Sequence, residues 1–393
     1  MGFLKKRKRP TVGLDIGHSS VKGLELNHAG GGLVSNRFGT VPIEEAIDSP
    51  KRNEAVVEAI RRLFDQADFT TKRTVTGVSG ESVIVRVLRM PYFSDQESSE
   101  LEFAVRGEAQ DFIPFDMDEV SFDYQVLGVL DAGAEGRALE VLIVAAQKDL
   151  VAWHSEVVRA AGLEPKVVDV GSFALVNAVH YGKDYAPEAP VALVDIGSAV
   201  TNIAIMKGDS TRFTRDLSTA GSTITRAIMS DLGLDEKDAE TAKILHGISI
   251  DTEESVDEEM MTISQTNLPD VIEELEPGNG QSSAAGSDIT QQVNAICEQF
   301  LGEIVSEIKR CLLFYENQLD GQPVDRVFLT GGTLQMANAD RYVQRLLDTP
   351  AEVLDPFENV GGTIAALDPI VRGATYTTSL GLAMRSVMGG GVT

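Results

Sequence analysis

Leu14-Asp15-Ile16-Gly17-His18-Ser19-Ser20-Val21-Lys22 is the stretch of sequence that decides the fold. It continues an apolar run from Thr11 to Leu14 that indicates a buried strand. The tripeptide Asp-Ile-Gly returns at Asp195-Ile196-Gly197, after a second apolar run from Val191 to Val194. A strand that ends in Asp-x-Gly leaves backbone N–H groups free in a tight turn, where they can bind phosphate oxygens. Two such turns facing each other would hold the phosphate tail of a nucleotide from both sides.

The composition limits the class of protein. With 393 residues, of which 43% are apolar, the chain can form two or more domains with a large buried core. The formal net charge of −26 argues against nucleic-acid binding, which needs a basic face, and is ordinary for a protein kept in solution by surface charge. Cys297 and Cys311 lie on one predicted helix, roughly 21 Å apart and too far for a disulfide, so we expect a reduced, cytosolic protein.

The ends of the chain and one internal segment differ from the rest in amino-acid composition. Residues 1–10 form a basic tail that could contact anionic lipid headgroups or simply be solvated. No apolar run reaches the ~18 residues that a membrane-spanning helix needs. Residues 248–288 are acidic and then rich in small residues, which predicts a disordered insertion that either docks a basic partner or is merely tolerated at the surface. Residues 388–393 form a short tail.

Strand-like and helix-like segments alternate in both halves of the chain, which predicts α/β layers. The segment from Glu81 to Leu163 has the order strand, helix, strand, strand, helix, which indicates a small α+β module. A capping box at Ser94-Asp95-Gln96-Glu97 is predicted to open the first helix of this module. In the second half, Gly221-Ser222-Thr223 is predicted to cap a helix from Gly221 to Leu232, and a long amphipathic helix is predicted from Gln292 to Leu319.

Several motifs supply groups that suit one nucleotide, with ATP and Mg²⁺ as the expected cofactors. The carboxylates of Asp15 and Asp195 could hold Mg²⁺ through water, and Lys22 could reach a β-phosphate as a point charge. Glu240 and Lys243 form an i, i+3 pair that could bind ribose hydroxyls and the edge of a purine. The predicted nucleotide-binding residues are Asp15, Gly17, His18, Ser19, Ser20, Lys22, Asp195, Gly197, Ser198, Thr201, Gly221, Glu240, Lys243, Gly331, Gly332 and Thr333.

The last motif, Gly331-Gly332-Thr333, follows an apolar strand and would let an adenine or an α-phosphate approach the backbone closely. Each motif alone is common, because Asp-x-Gly turns and Glu-x-x-Lys pairs occur in many unrelated proteins. The order along the chain is more specific: turn, module, second turn, Glu-x-x-Lys pair, long helix, Gly-Gly. That order resembles the actin, sugar-kinase and heat-shock-70 superfamily of ATP-binding folds.

Longer motifs make the chain similar to the PilM family, the actin-like proteins of type IV pilus assembly, which are related to FtsA. The similarity covers about residues 10–246 and 289–387. The segments that carry it are Met90-Pro91, Glu108 to Val120, Phe122 to Gly128, Val144 to Lys148, Ala161 to Pro165, Val168 to Val170, Phe173 to Leu175, Phe213 to Ser218 with Gly221, Glu307 to Leu312 and Asp325 to Gly332.

This resemblance implies an α/β, actin-like (RNase H-like) fold with two facing domains. It implies that residues 11–84 and 166–189 form subdomain 1A, and that residues 85–165 form the small module, subdomain 1C. Residues 190–387 would form subdomains 2A and 2B.

The resemblance also implies a function. ATP and Mg²⁺ would bind between the two domains of a cytoplasmic protein at the inner face of the inner membrane. A groove on the 1C side would bind the cytoplasmic N-terminal peptide of a PilN-like membrane protein, which links it to the inner-membrane pilus complex and motor. ATP would close the cleft and set the shape of that groove. The protein would touch the membrane only peripherally and could form homo-oligomers.

Two positions depart from the expected family pattern. His18 stands where relatives have the Ser or Thr that meets the terminal phosphate, so either His18 makes this contact or it turns away and Ser19 replaces it. Asp169 is the one acidic residue in the segment 167–177, where a residue that positions water for hydrolysis is expected. The catalytic candidates are therefore Asp15, Asp169 and Asp195, for either a weak ATPase or a protein that uses ATP as a structural cofactor.

Three other functions are compatible with parts of the sequence. An FtsA-like cell-division protein would carry a C-terminal amphipathic helix, a pattern that residues 384–393 lack. A cytoplasmic scaffold of type II secretion would share the same motifs. A sugar kinase would need a carboxylate base and a sugar pocket where the small module stands.

Overall fold

Two mixed β-sheets and a separate three-stranded sheet form the framework of the computed structural model, which describes residues 10–29, 32–46, 48–94, 96, 98–131, 136–249, 283–317 and 322–388. The first sheet consists, in spatial order, of β14 (Val360–Gly361), β3 (Gly32–Pro42), β2 (Ser20–Ala29), β1 (Thr11–Ile16), β4 (Arg73–Val78) and β8 (Glu164–Val170). The second sheet consists of β11 (Ser210–Leu217), β10 (Thr201–Lys207), β9 (Val191–Ile196), β12 (Arg326–Thr330) and β13 (Ala351–Val353).

The two large sheets repeat the same arrangement at their centres. β1 pairs antiparallel with β2 and parallel with β4. β9 pairs in the same way, antiparallel with β10 and parallel with β12. Both central strands are buried on both faces, which explains their continuous apolar runs, such as Val191 to Val194. Each Asp-Ile-Gly tripeptide therefore closes the central strand of its own sheet, as the sequence pattern predicted.

Helices cover the faces of the two large sheets. They are α1 (Arg52–Ala67), α3 (Lys148–Ala160), α4 (Gly171–Asn177), α5 (Gly221–Leu232), α6 (Glu236–His246), α7 (Ser283–Tyr315), α8 (Ala339–Leu346) and α9 (Pro369–Met388). α1 and α3 pack over the first sheet through a shared core that includes Ile60 and Val158. α5, α7 and α8 share the core of the second domain, which includes Ile224 and Ile304.

The small α+β module has the predicted elements, but its helix begins later than predicted. The strands β5 (Val83–Pro91), β7 (Arg137–Gln147) and β6 (Val120–Asp131) form its sheet, which packs against α2 (Ser99–Ala109). The residue that caps α2 is Ser98, whose hydroxyl accepts the N–H of Leu101, so the capping box predicted at Ser94 is wrong. Tyr92 and Phe93 pack against the module core and carry the chain past Ser94 before the helix starts.

The helix that follows the module packs elsewhere. Val157 and Val158 of α3 lie in the core under the first sheet, with Ile60 of α1. The predicted module of residues 85–165 thus includes a helix that, by its packing, belongs to the first sheet. The other subdomain boundaries stay a prediction.

Two further sequence predictions on the second domain need correction. Gly221-Ser222-Thr223 does not cap α5, because the N-cap residue is Ala220 and no side chain makes the capping hydrogen bond. α7 begins at Ser283, so the end of the predicted insertion 248–288 is helical, whereas residues 250–282 lie outside the described residues, as do the tails 1–9 and 389–393.

The prediction on the two cysteines is confirmed. Cys297 and Cys311 are both free and buried, in agreement with the prediction that they form no disulfide. None of the described helices is long and apolar enough to cross a membrane.

Two helices, α4 and α9, connect the two large sheets. α9 contacts β1, β2 and β4 of the first sheet and β12 and β13 of the second, while α4 contacts β8, β10 and α9 itself. The backbones approach so closely that a Cβ atom added at Gly13 would lie 1.8 Å from the carbonyl oxygen of Ser379. A Cβ added at Gly381 would lie 1.8 Å from the carbonyl oxygen of Ala174. Glycine is required at these crossings because only a bare backbone fits.

We predict that Gly13→Ala lowers the free energy of unfolding by about 3 kcal/mol, because the added methyl group must push α9 away from β1. Urea denaturation of the purified variant measures this loss. Gly32→Ala is the matched control, since a Cβ there meets nothing within 4 Å and should change stability by less than about 0.5 kcal/mol. Equal stability of the two variants would contradict the close packing of α9.

Candidate functional site

A cleft of about 790 Å³ opens between the two large sheets, at the ends of their central strands. Both Asp-Ile-Gly turns line it from opposite sides. The turns have the same geometry, because the N–H of Gly17 donates to the carbonyl of Ser20 at 3.0 Å and the N–H of Gly197 donates to that of Val200 at 3.0 Å. The structure thus brings the two predicted phosphate-binding turns together across one cavity.

The second turn is tied to two neighbouring elements. The carbonyl oxygen of Gly197 accepts the N–H of Gly221 at 3.1 Å and the hydroxyl of Thr333 at 2.8 Å. Gly331 has φ +105°, and a Cβ there would lie 2.5 Å from Oδ1 of Asp195. These contacts fix the start of α5 and the Gly331-Gly332 loop against the turn, so three chain segments meet at one wall of the cleft.

The two predicted metal-binding carboxylates face the cleft. Nζ of Lys22 lies 3.4 Å from Oδ2 of Asp15, and the hydroxyl of Thr378 donates to Oδ2 of Asp195 at 3.1 Å. Burial raises the pKa of Asp195 to about 6, and the nearby charge of Asp15 adds to this rise. A cation between the two groups would relieve that repulsion, so the donor set fits Mg²⁺ held through water. Within the described part of the chain, no three His, Cys, Asp or Glu residues cluster as direct metal ligands.

The predicted Glu240–Lys243 pair exists and is part of a network at the start of α5. Nζ of Lys243 lies 2.7 Å from Oε2 of Glu240 and donates to the hydroxyl of Thr225 at 3.0 Å. Thr225 in turn donates to Oε2 of Glu240 at 2.6 Å. The Lys243 side chain is only 5% exposed, whereas that of Glu240 is 46% exposed. Lys243 therefore holds the network together, and Glu240 presents its carboxylate to the cleft.

His18 lines the cleft at the tip of the first turn, next to Ser19. Its carbonyl accepts a hydrogen bond from the guanidinium of Arg52, which also donates to the carbonyl of Glu45. Burial lowers the pKa of His18, and the charges of Arg52 and Arg226 lower it further. The ring is therefore neutral at pH 7 and offers one N–H donor toward the cleft.

Three predicted nucleotide residues and one catalytic candidate lie away from the cleft surface. Thr201 is fully buried and donates to the carbonyl of Thr219 at 2.8 Å, so it holds β10 in place. Gly221 and Gly331 lie behind the residues that line the cleft, and both pack closely against the second turn. Asp169 lines a different cavity, beside the module, and its Oδ2 lies 3.4 Å from Nε of Arg385 in α9. It is not positioned to act on a ligand in the cleft.

Sequence reasoning missed the contribution of α3 and α9 to the cleft. Trp153 of α3 lines it, and its indole N–H donates to Oδ1 of Asn53 at 2.8 Å. Thr375, Thr377 and Thr378 of α9 line it as well. None of these residues belongs to a local motif. Arg52 is the one residue whose role the sequence could have indicated. A cation in the first turn of a helix is disfavoured by the helix dipole, so another interaction must favour Arg52 at this position.

The duplicated sheets and the cleft between them define a two-domain protein of the actin-like class. A family model described as "Type IV pilus assembly protein PilM" matches residues 13–267, and this protein belongs to that family. A second model, "Cell division protein FtsA", matches residues 192–381. Both findings confirm the resemblance and the fold class inferred from the sequence.

Individual relatives and solved structures agree with the fold class. The cell division protein FtsA of Escherichia coli K12 is 25% identical over 403 residues, which cover 95% of this chain and 90% of the relative. A solved "PilM-PilN type IV pilus biogenesis complex" superimposes with a TM-score of 0.74 at 25% identity, covering 97% of this chain and 99% of that one. The ethanolamine utilization protein EutJ of Carboxydothermus hydrogenoformans shares the fold, with a TM-score of 0.51 at 13% identity over 96% of this chain and 89% of that one.

We predict that Asp195→Asn changes how stability depends on pH. The pKa of Asp195 lies above its unfolded value of 3.8, so folding favours the protonated acid and the stabilisation is lost as pH rises from about 4 through about 6. Relative to wild type, the variant should gain on the order of 2 kcal/mol in unfolding free energy between pH 4 and pH 7.5.

Urea denaturation without Mg²⁺ or nucleotide measures this gain. Asp65→Asn, on the exposed face of α1, is the control for the loss of one charge. A difference between Asp195→Asn and wild type that stays constant with pH would refute the raised pKa of Asp195.

Proposed function

We propose that this protein is an ATP-binding, actin-like scaffold of type IV pilus assembly that binds a PilN-like membrane protein. The observation that carries the proposal is the similarity to the PilM–PilN complex over 97% of the chain, at a TM-score of 0.74. The two opposed turns support the ATP site, and a separate groove beside the module supports the peptide site. In this proposal the protein acts in the cytoplasm, at the inner face of the inner membrane, and reaches the membrane through its partner.

In the proposed complex, the phosphates lie between the Gly17–Ser20 and Gly197–Val200 turns. Asp15 and Asp195 hold Mg²⁺ through water, which neutralises part of the phosphate charge. The neutral His18 ring and the Ser19 hydroxyl donate to phosphate oxygens from one side. Glu240 accepts from the ribose hydroxyls. Gly332, where a Cβ would meet nothing within 4 Å, leaves room for the adenine.

We further propose that ATP is used mainly to set a domain arrangement and that its hydrolysis is slow. Asp169 faces the groove and is not available to orient water at the phosphates. A ligand that touches both turns stabilises the arrangement in which the two domains face each other closely. Because the cleft and the groove share α3 and α9 as walls, this arrangement also sets the shape of the groove.

The groove is a cavity of about 170 Å³ between the module and the first sheet. Its walls are largely apolar, with Leu142 and Val144 of β7 facing Val170 and Phe173. β6 and β8 are edge strands of their sheets, so their outer edges can accept an extended peptide. We propose this groove as the site for the cytoplasmic N-terminal segment of the PilN-like partner.

A cell-division role is the alternative that the FtsA similarity favours. The FtsA relative aligns over 95% of the chain, but the FtsA family model matches residues 192–381 alone, whereas the PilM family model begins at residue 13 and spans the whole module. Since the module forms one wall of the proposed peptide groove, we place the protein in pilus assembly.

We predict that Asp15→Ala and Asp195→Ala each weaken ATP–Mg²⁺ binding at least tenfold, about 1.4 kcal/mol, because each removes one carboxylate that holds the metal. Trp153, the one tryptophan of the chain, lines the cleft and reports binding by fluorescence. Asp65→Ala, on the outer face of α1, should bind like wild type. If both cleft variants bound ATP as tightly as wild type, the proposed nucleotide site would be wrong.

We predict that Val144→Glu abolishes binding of the partner peptide, because it places an unpaired charge in the apolar groove. The probe is a labelled peptide of the residues that precede the membrane helix of the PilN-like protein from the same organism, and the readout is fluorescence anisotropy. Phe103→Ser is the matched control, since Phe103 is 81% exposed on α2 of the module and lines neither cavity. Equal peptide affinity in both variants would exclude the groove as the peptide site.

A further inference from the structure

The second domain contacts the first domain along β11, in addition to the connection through α4 and α9. β11 is the edge strand of the second sheet, β5 is an edge strand of the module sheet, and the two strands lie next to each other. Two polar contacts accompany this packing, Arg212 with Glu140 of the module and Asp216 with Gly80 after β4. We call these two contacts the interdomain seam.

A bulge in β11 places the first residue of the seam. Thr211 and Phe213 pair with consecutive residues of β10, so Arg212 between them is an extra residue in the register. Such bulges turn a side chain away from its regular direction along the strand. The guanidinium of Arg212 donates to Oε2 of Glu140 in β7 at 2.6 Å. The two side chains are 27% and 17% exposed, so water and salt screen this ion pair less than one at the surface.

Asp216, near the end of β11, joins segments of both domains. Its Oδ2 accepts the N–H of Gly80, in the loop that follows β4 of the first domain. Its Oδ1 accepts from the side-chain amide of Asn202 in β10 at 2.8 Å. Burial raises the pKa of Asp216, and these two hydrogen bonds oppose that rise. An ionised carboxylate accepts hydrogen bonds more strongly than a neutral group, so the contact between the domains is a strong one.

Residues next to the seam line the cleft. Ser79 lines it from the first domain and precedes Gly80, and Asn202 lines it from the second domain. Both contacts of the seam join residues of different domains. Any opening of the cleft that moves β11 away from the module therefore breaks them. The seam stabilises only the arrangement in which the cleft is closed.

We infer that Arg212 and Asp216 are positioning residues, which hold the cleft closed by fastening the second domain to the module and to the loop after β4. Neither residue lines the cleft. They act on a bound nucleotide through Asn202 and through the distance between the domains. The effect on nucleotide binding rests on the proposed function, whereas the effect on the domain distance does not.

Reversal of charge tests the seam without removing a side chain. Arg212→Glu and Glu140→Arg each place like charges at the contact, and the double variant Arg212→Glu/Glu140→Arg restores an ion pair in the opposite sense. Arg215→Glu is the matched control, because Arg215 is exposed on the same strand. Arg89 lies opposite Glu140 on β5 but is exposed, so it can turn into solvent in the double variant.

The first measurement is the distance between the domains, by double electron–electron resonance of nucleotide-free protein. Spin labels are attached at Asp65→Cys on α1 and Arg341→Cys on α8, which are exposed positions, whereas the two native cysteines are buried. Each single reversal should give a longer or broader distance distribution than wild type, and the double variant and the control should match wild type. An unchanged distance in both single reversals would overturn the inference, as would a double variant as open as they are.

The second measurement is ATP–Mg²⁺ affinity, read from the fluorescence of Trp153. Each single reversal should weaken binding about tenfold, as expected when about a tenth of the molecules remain closed, and the double variant should bind within about threefold of wild type. Absence of ATP binding to wild type would overturn the proposed nucleotide site, while the distance measurement still decides on the seam. Open domains with unchanged ATP affinity would overturn the action of the seam on the nucleotide alone.

A variant of Asp216 replaces the reversals if either of them fails to fold. Asp216→Asn keeps the shape of the side chain but has one acceptor oxygen, which cannot accept from both Gly80 and Asn202. The same increase in domain distance and the same loss of ATP affinity are expected. A variant with the distance distribution of wild type would overturn the inference.

Discussion

The packing of α9 against both sheets is the constraint on which the rest of the structure depends. Glycine at position 13 lets its backbone lie directly on β1, and Gly373 lets it approach the carbonyl of Leu354, where a Cβ would lie 1.9 Å away. Thr378 of the same helix donates to Asp195 at the end of β9. α9 therefore sets the distance between the two Asp-Ile-Gly turns, although neither turn is part of α9. The cleft is a consequence of how the domains are joined.

The same helix reaches the second cavity. Arg385 lies two turns of α9 beyond Thr378 and pairs with Asp169 in the groove. α3 has a similar double role, because Trp153 lines the cleft and Val151 lines the groove. In the proposed function, a ligand that changes the domain arrangement changes both cavities at once. Such coupling is reciprocal, so the peptide must alter nucleotide affinity by the same factor as the nucleotide alters peptide affinity.

Local patterns in the sequence predicted much of this architecture. Apolar runs that end in Asp-Ile-Gly located the two central strands, and the predicted helix from Gly221 to Leu232 has the bounds of α5. The local patterns could not predict features that depend on packing between segments far apart in the sequence. Asp169 looked like a catalytic candidate because it is the one acidic residue in the segment 167–177, but it lines the second cavity and pairs with Arg385 of α9. Thr378 and Trp153 carry no local motif, since only the crossing of α9 and α3 brings them to the cleft. Ser94 matched a capping box, yet the packing of Tyr92 and Phe93 moved the helix start to Ser98.

The central claim is that one nucleotide binds between the two turns and holds the domains together. A crystal structure of the protein with Mg²⁺ and a non-hydrolysable ATP analogue tests it most directly. The account predicts that the triphosphate contacts the backbone of Gly17–Ser20 and of Gly197–Val200 simultaneously, with the metal near Asp15 and Asp195. A nucleotide bound to one turn alone, or outside the cleft, would contradict it.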